Sequence, residues 1–182
     1  RTLLSYASEK QIETFALPQI SGEWFGTMCL SEPHAGSSLG DILTRAEPDG
    51  EDEHGPRYRL TGNKMWISSG DQDVSDNIVH LVLAKIPDAD GNLPVGSGGI
   101  SLFIVPKINL DGSQNDVTVA GLDHKMGFRG IPNCALNFGE NGGAVGWRIG
   151  EAGAGLKQMF QMMNEARIMV GLCGAALAYR GY

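Results

Sequence analysis

Apolar positions change their spacing twice along the chain. Between residues 2 and 16, Leu3, Leu4, Ile12, Phe15 and Ala16 stand among polar residues at helical intervals, and the pattern ends before Pro18. From Trp24 to Gly146 the style is different. Short runs rich in β-branched residues are punctuated by Gly, Asp, Asn and Pro. Seven runs predict strands: WFGTMCL, TRAEP, RYRLTGNKMW, NIVHLVLAKI, GISLFIVPK, DVTVAGL and NCALNFG. In the third, Tyr58 and Leu60 point one way and Arg57 and Arg59 the other, the period of a half-buried strand. Ile78 to Leu83 is nearly all apolar and belongs deeper. DADGNLPVGSGG carries too much Gly and Pro to be anything but loop. After Gly155 the spacing turns helical: Leu156, Phe160, Met163, Arg167, Val170, Gly174 and Leu177 follow in steps of three and four. Gly171, Ala175 and Ala178 form a neighbouring small-residue stripe that another helix could approach.

The layout this predicts is mainly β. Residues 22–150 form an antiparallel β-barrel or sandwich. Residues 1–21 are the remnant of an N-terminal helical domain, and 151–182 the first helix of a C-terminal one. The chain of 182 residues is 42% hydrophobic and 19% charged, enough for a sizeable core. No apolar run reaches the roughly 18 residues of a membrane span. RTLLSYASEKQIETFALPQ is too interrupted by polar residues for a signal peptide. A net charge of -7 with no basic run argues against nucleic acid as a partner. Cys29, Cys134 and Cys173 are odd in number, far apart and without a CxxC, so neither disulfides nor zinc is expected and a cytoplasmic location is. The first residue is Arg1, and GAALAYRGY still reads as helix, so a piece of a longer protein is expected.

Several apparent motifs fail on spacing. GEAGAGLK brings glycines and a lysine to a helix start, but Leu156 follows Gly155 where a phosphate loop needs Lys. The preceding GWRI is short for the buried strand such a loop requires. No GxSxG marks a hydrolase. His34, His54, His80 and His124 lack metal-ligand spacing. Three features remain. MCLSEPHAGSS (28–38) is a strand running into a turn that exposes hydroxyls and backbone N–H groups; it suits a ligand cradle, and equally a serine-capped turn. KMWISSG (64–70) sets Trp66 beside two serines, as a flat face for a conjugated ring or as a core tryptophan. Arg167 falls on the apolar stripe of its helix, which calls for an anionic partner, a wet cavity or a snorkelling side chain.

Together these residues resemble the acyl-CoA dehydrogenases. MCLSEPHAGSS is similar to that family's first flavin segment, [VT]-x-[ST]-E-P-x-[AC]-G-[ST], and GNKMWISSG to its second, G-x-K-x-[WF]-[IV]-[ST]. HKMGFRG resembles its K-x-G-x-[RH] segment, and GEAGAGLKQMFQMMNEARIMVG the first long helix of its C-terminal domain. The motifs stand in family order from Gly22 to about Gly174. NIVHLVLAKIPDA, GISLFIVPK and MFQMMNEAR look most like the branch of 3-methylmercaptopropionyl-CoA dehydrogenases and broad-range bacterial enzymes.

The resemblance implies FAD as cofactor, an acyl-CoA substrate, electron-transfer flavoprotein as electron acceptor and a homodimer or homotetramer. It implies α,β-dehydrogenation, in which a carboxylate takes the α proton while the β hydrogen leaves as hydride. The family's base is a late glutamate to which no residue of this chain corresponds, Glu165 included. By match to the first motif, Met28, Leu30 and Ser31 contact the flavin, and Gly36 and Ser37 line the acyl-CoA passage. By match to the second, Trp66 packs on the ring while Ile67 and Ser68 abut its reactive edge. Asn164 and Arg167 match a polar pair beside the CoA channel. His34 stands where many relatives have glycine. Acyl-CoA oxidases and nitroalkane oxidases share the middle domain, and a non-catalytic β binding module is the reading from another class.

Overall fold

The architecture follows from two strands that are covered on both faces. A computed structural model describes residues 1–182. The strands are β1 (Trp24–Cys29), β2 (Arg45–Asp52), β3 (Gly55–Ser68), β4 (Asn77–Lys85), β5 (Ile100–Pro106), β6 (Val117–Leu122), β7 (Asn133–Phe138) and β8 (Ala144–Arg148). Every residue of β4 and β5 is buried. Val79, Leu81 and Leu83 of β4 and Ile100, Leu102 and Ile104 of β5 face one core, shared with Phe15, Trp147 and Met159. Val82, Ala84, Phe103 and Val105 face a second, shared with Tyr58, Leu60, Ile67 and Phe138. This explains the absence of polar alternation in both runs. Each large aliphatic side chain so buried contributes about 2 kcal/mol.

The strand order is β1-β4-β5-β8-β3-β7-β6, and β2 pairs with both β3 and β4. Antiparallel pairing of β2 with β3 and one bridge, Arg45 to Lys85, return the path to β4 and close a barrel. Most pairs are antiparallel, as the short glycine-rich connections suggest. β1 is different: it lies parallel to β4, from Trp24 beside Asn77 to Cys29 beside Val82. A parallel neighbour needs a long crossover, and here the intervening chain holds β2 and β3.

Each of the seven predicted runs carries a strand, and β2 continues past Pro48 through a register shift to Asp52. The eighth strand is one the pattern did not predict. β8 sits between β5 and β3, where Gly146 is required by close approach: a Cβ there would lie 2.8 Å from Val105 Cγ2. The N-terminal helical path also runs further than predicted. α1 (Thr2–Tyr6) and α2 (Glu9–Gln11) lead through a π-turn at Ile12–Ala16 into α3 (Leu17–Ser21). Pro18 falls in the first turn of α3, where its missing N–H costs little, and Gly22 ends the helix at φ 87°. α4 spans Gly155–Gly181, and its first turns pack on β5. No helix is long and apolar enough to cross a membrane.

Candidate functional site

The end of β1 sends alternate side chains in opposite directions. Thr27 and Cys29 point into the barrel, while Met28 and Leu30 pack against the core beneath α4 together with Met163. The chain then turns tightly. Glu32 and Ala35 exchange backbone hydrogen bonds of 2.9 and 3.1 Å, so those two N–H groups are satisfied within the turn. The open part of the cradle lies beyond them. Gly36, Ser37 and Ser38 are exposed, their amides and hydroxyls bond to nothing in the chain, and a Cβ at Gly36 would meet nothing within 4 Å. The Ser31 hydroxyl is likewise unpartnered. His34 is exposed and bonds the Asp41 carbonyl at 3.2 Å.

Glu32 turns inward and is a structural hub. Its carboxylate accepts from Leu43 N at 2.7 Å, from Thr44 N at 3.0 Å, from the Thr44 hydroxyl and from Lys64 Nζ at 2.9 Å. Lys64 is fully buried and also donates to the Leu30 carbonyl at 2.9 Å. Burial alone would raise the Glu32 carboxyl, but Lys64, the Leu43 amide and the Thr44 hydroxyl outweigh it and hold the group below its ordinary value. Burial lowers the Lys64 ammonium against the pull of Glu32. Sequence reasoning gave Lys64 no role. The signal was present: it shares the even-numbered face of β3 with Tyr58 and Leu60, and a lysine on a buried face needs a carboxylate.

The second stretch leaves regular pairing just after Lys64. β3 and β7 pair from Gly62 to Lys64, slip, and resume with Ile67 opposite Cys134. Trp66 occupies this bulge at φ 64° and is 58% exposed, so it is not a core tryptophan. A bulky residue in the left-handed region costs of order 1–3 kcal/mol and persists where surrounding structure imposes it. The Ile67 side chain is in the barrel core, so only its backbone is available to a ligand. Ser68 is exposed with a free hydroxyl. Met65 N donates to the Ser31 carbonyl at 3.0 Å, which joins the two predicted stretches directly.

Arg167 and Asn164 are exposed on α4, Arg167 Nη1 donating to Asn164 Oδ1 at 3.3 Å. The guanidinium lies 5.4 Å from the Phe160 ring centroid and has no carboxylate partner. It takes part in no structural ion pair. Glu165 is on another side of the helix and pairs with Arg1 at 2.9 Å. HKMGFRG falls in the β6–β7 connection, where Met126 and Phe128 are exposed and Phe128 has φ 51°. A hollow of about 310 Å³ between α1, α3 and α4 is lined by Leu3, Leu4, Ile20 and Met162, and by none of the predicted site residues. The predicted residues of the first two stretches thus form an open face around Ser31 and Trp66, not an enclosed cavity, whereas the contacts of Asn164 and Arg167 stay within α4.

No three His, Cys, Asp or Glu side chains could share a metal. All three cysteines are unpaired. Burial pushes the Cys29 thiol up to about 12 and raises Cys134 as well, so neither is a nucleophile near neutral pH. A flat exposed ring, free hydroxyls and open backbone instead suit a planar heteroaromatic cofactor.

Residues 27–140 match the model of the acyl-CoA dehydrogenase middle domain. A butyryl-CoA dehydrogenase of Syntrophomonas wolfei is 47% identical over 94% of this chain and 29% of its own length. A 3-methylmercaptopropionyl-CoA dehydrogenase of Ruegeria pomeroyi is 40% identical over 90% of this chain and 27% of its own. The solved structure of ACDH-11 from Caenorhabditis elegans, in complex with C11-CoA, superposes with a TM-score of 0.71 at 29% identity, over 92% of this chain and 28% of that one. The chain spans under a third of the length of these curated relatives. It belongs to the acyl-CoA dehydrogenase family of FAD-dependent oxidoreductases, and its barrel is that family's middle domain.

Proposed function

We propose that this chain is the cofactor-holding portion of a longer subunit that dehydrogenates a straight-chain or thioether acyl-CoA at its α,β bond. The observation that carries the reading is the exposed Trp66 ring, held in a bulge whose neighbour Met65 is bonded to Ser31. Bound FAD would supply the hydride acceptor. Trp66 presents a stacking face; Ser31 and Ser68 offer hydroxyls to ring heteroatoms; Met28 and Leu30 form the apolar floor beside α4. The open backbone at Gly36 and Ser37 leaves room for a pantetheine chain, and Arg167 with Asn164 offers donors to its polar groups. No carboxylate of residues 1–182 matches the family's base position; Glu165, which pairs with Arg1 at 2.9 Å, does not. In the same reading the enzyme is a cytoplasmic homodimer or homotetramer, and electrons leave to electron-transfer flavoprotein.

The substrate range follows from what the relatives are named for: butyryl-CoA, 3-methylmercaptopropionyl-CoA and linear acyl-CoAs. The full-length protein should purify yellow and reduce a dye with butyryl-CoA, a longer linear acyl-CoA or 3-methylmercaptopropionyl-CoA. Trp66→Gly should weaken FAD retention at least about tenfold, or ~1.4 kcal/mol, without unfolding, because glycine takes the left-handed angle freely. A colourless protein would sink the reading, and stoichiometric oxygen consumption would replace dehydrogenase by oxidase.

A further inference from the structure

We propose that Glu32 and Lys64 are a positioning pair whose buried ionic contact fixes the separation of the Ser31 turn from the Trp66 bulge. The inference rests on the FAD reading above.

The pair links the two cradle stretches to the segment before β2. Lys64 donates to the carbonyl of Leu30, the residue before Ser31, and lies two positions before Trp66. Glu32 follows Ser31 and ties it to Leu43 and Thr44, just before β2. Three segments distant in sequence therefore meet at one carboxylate. Gly62 belongs to the same device. A Cβ there would lie 2.8 Å from Thr44 Cα, so only glycine lets Thr44 come close enough to reach Glu32. The glycine and lysine of GNKMW are thus explained by one geometry: both sit on the face of β3 that receives Glu32 and Thr44.

An apolar pair of similar volume would generally be at least as stable as a buried ion pair. What hydrocarbon cannot supply is direction. Glu32 collects donors from Leu43, Thr44 and Lys64, and Lys64 returns a bond to Leu30. The pair specifies where the turn sits, and the ring seat inherits that placement.

The test uses full-length protein carrying FAD. The double variant Glu32→Met with Lys64→Met should fold with a lowered Tm, because Leu43 N, Thr44 N, the Thr44 hydroxyl and the Leu30 carbonyl lose their partners. FAD affinity, read by titrating apoprotein, should fall at least about tenfold. The vibronic shape of the bound flavin absorption band should change with it. Thr44→Val, which keeps shape and removes one charge-assisted hydrogen bond, should speed FAD release about fivefold or more. Thr118→Val at the exposed Glu140 contact serves as control and should change nothing. Parent-like affinity and spectrum in a folded double variant would overturn the proposal. Should the double variant not fold, a Thr44→Val release rate equal to the control would do so. If the parent itself retains no FAD, it is the functional reading that fails.

Discussion

His80 is a titratable ring sealed in the barrel. Its Nδ1 lies 2.7 Å from the Thr27 hydroxyl, its edge meets Phe138, and its Nε2 has no partner. Burial pushes its pKa down from 6.5 to about 4, because the charged ring would be stranded among apolar neighbours. The unfolded chain takes up this proton near 6.5 and the folded one only near 4, so folding stability falls as pH drops through that window. The full loss is of order 3 kcal/mol. Glu32 acts in the same direction, since its lowered carboxyl contributes stability that disappears as acid protonates it. His80→Gln should therefore flatten the decline in urea-measured stability between pH 6.5 and about 4. An unchanged slope would remove His80 as its source. At this scale, sequence legibility tracked alternation. Met28 and Leu30 could be placed on one side of β1, but the inward turn of Glu32 depends on Lys64 and Thr44, which are distant in sequence.

Elements meet closely where α4 leaves the barrel. A Cβ on Gly155 would lie 2.6 Å from Leu102 N, so the helix starts in backbone contact with β5. Gly155→Ala has to push the two apart and should destabilise the protein by about 1–3 kcal/mol. Alanine is the better helix former, so a rise in Tm would show that the start of α4 is looser than this packing requires. The same crowding explains why GEAGAGLK imitates a phosphate loop: its glycines serve close packing, Gly153 N bonding Ser101 Oγ at 3.0 Å. The strands were legible because β-branched runs stand between turn residues. β8 was not, because a short strand held between β5 and β3 needs little hydrophobic signal of its own. The end of the N-terminal helices was misread for a related reason. Pro18 breaks a helix interior but is accommodated in a first turn, and the π-turn before it starts a new one.

Across the molecule, stability is uneven. β4 and β5 sit between two cores, whereas the later turns of α4 expose Ile168, Met169, Val170, Leu172 and Leu177. Hydrogen exchange on the 182-residue chain should show amides of β4 and β5 as the slowest and those beyond Arg167 within the fastest class. Strong protection of that distal helix in dilute monomer would contradict this distribution. The fold class could be read from periodicity alone, because it repeats over many residues. The site could not. Its residues are ordinary in isolation and come together only because the bond from Met65 to Ser31 joins two turns.

The barrel's closure has a kinetic corollary. Its seam is one bridge between Arg45 and Lys85, supported by the bond from Lys85 N to the Thr44 carbonyl at 2.9 Å. Thr44 is also the residue that ties Glu32 in place. A fluctuation that unzips this seam loosens the cradle while β4 and β5 stay paired. On the proposed function, prosthetic-group escape under mild heat or denaturant should then precede collapse of the scaffold, and the emptied protein should reload by closing one seam rather than by refolding.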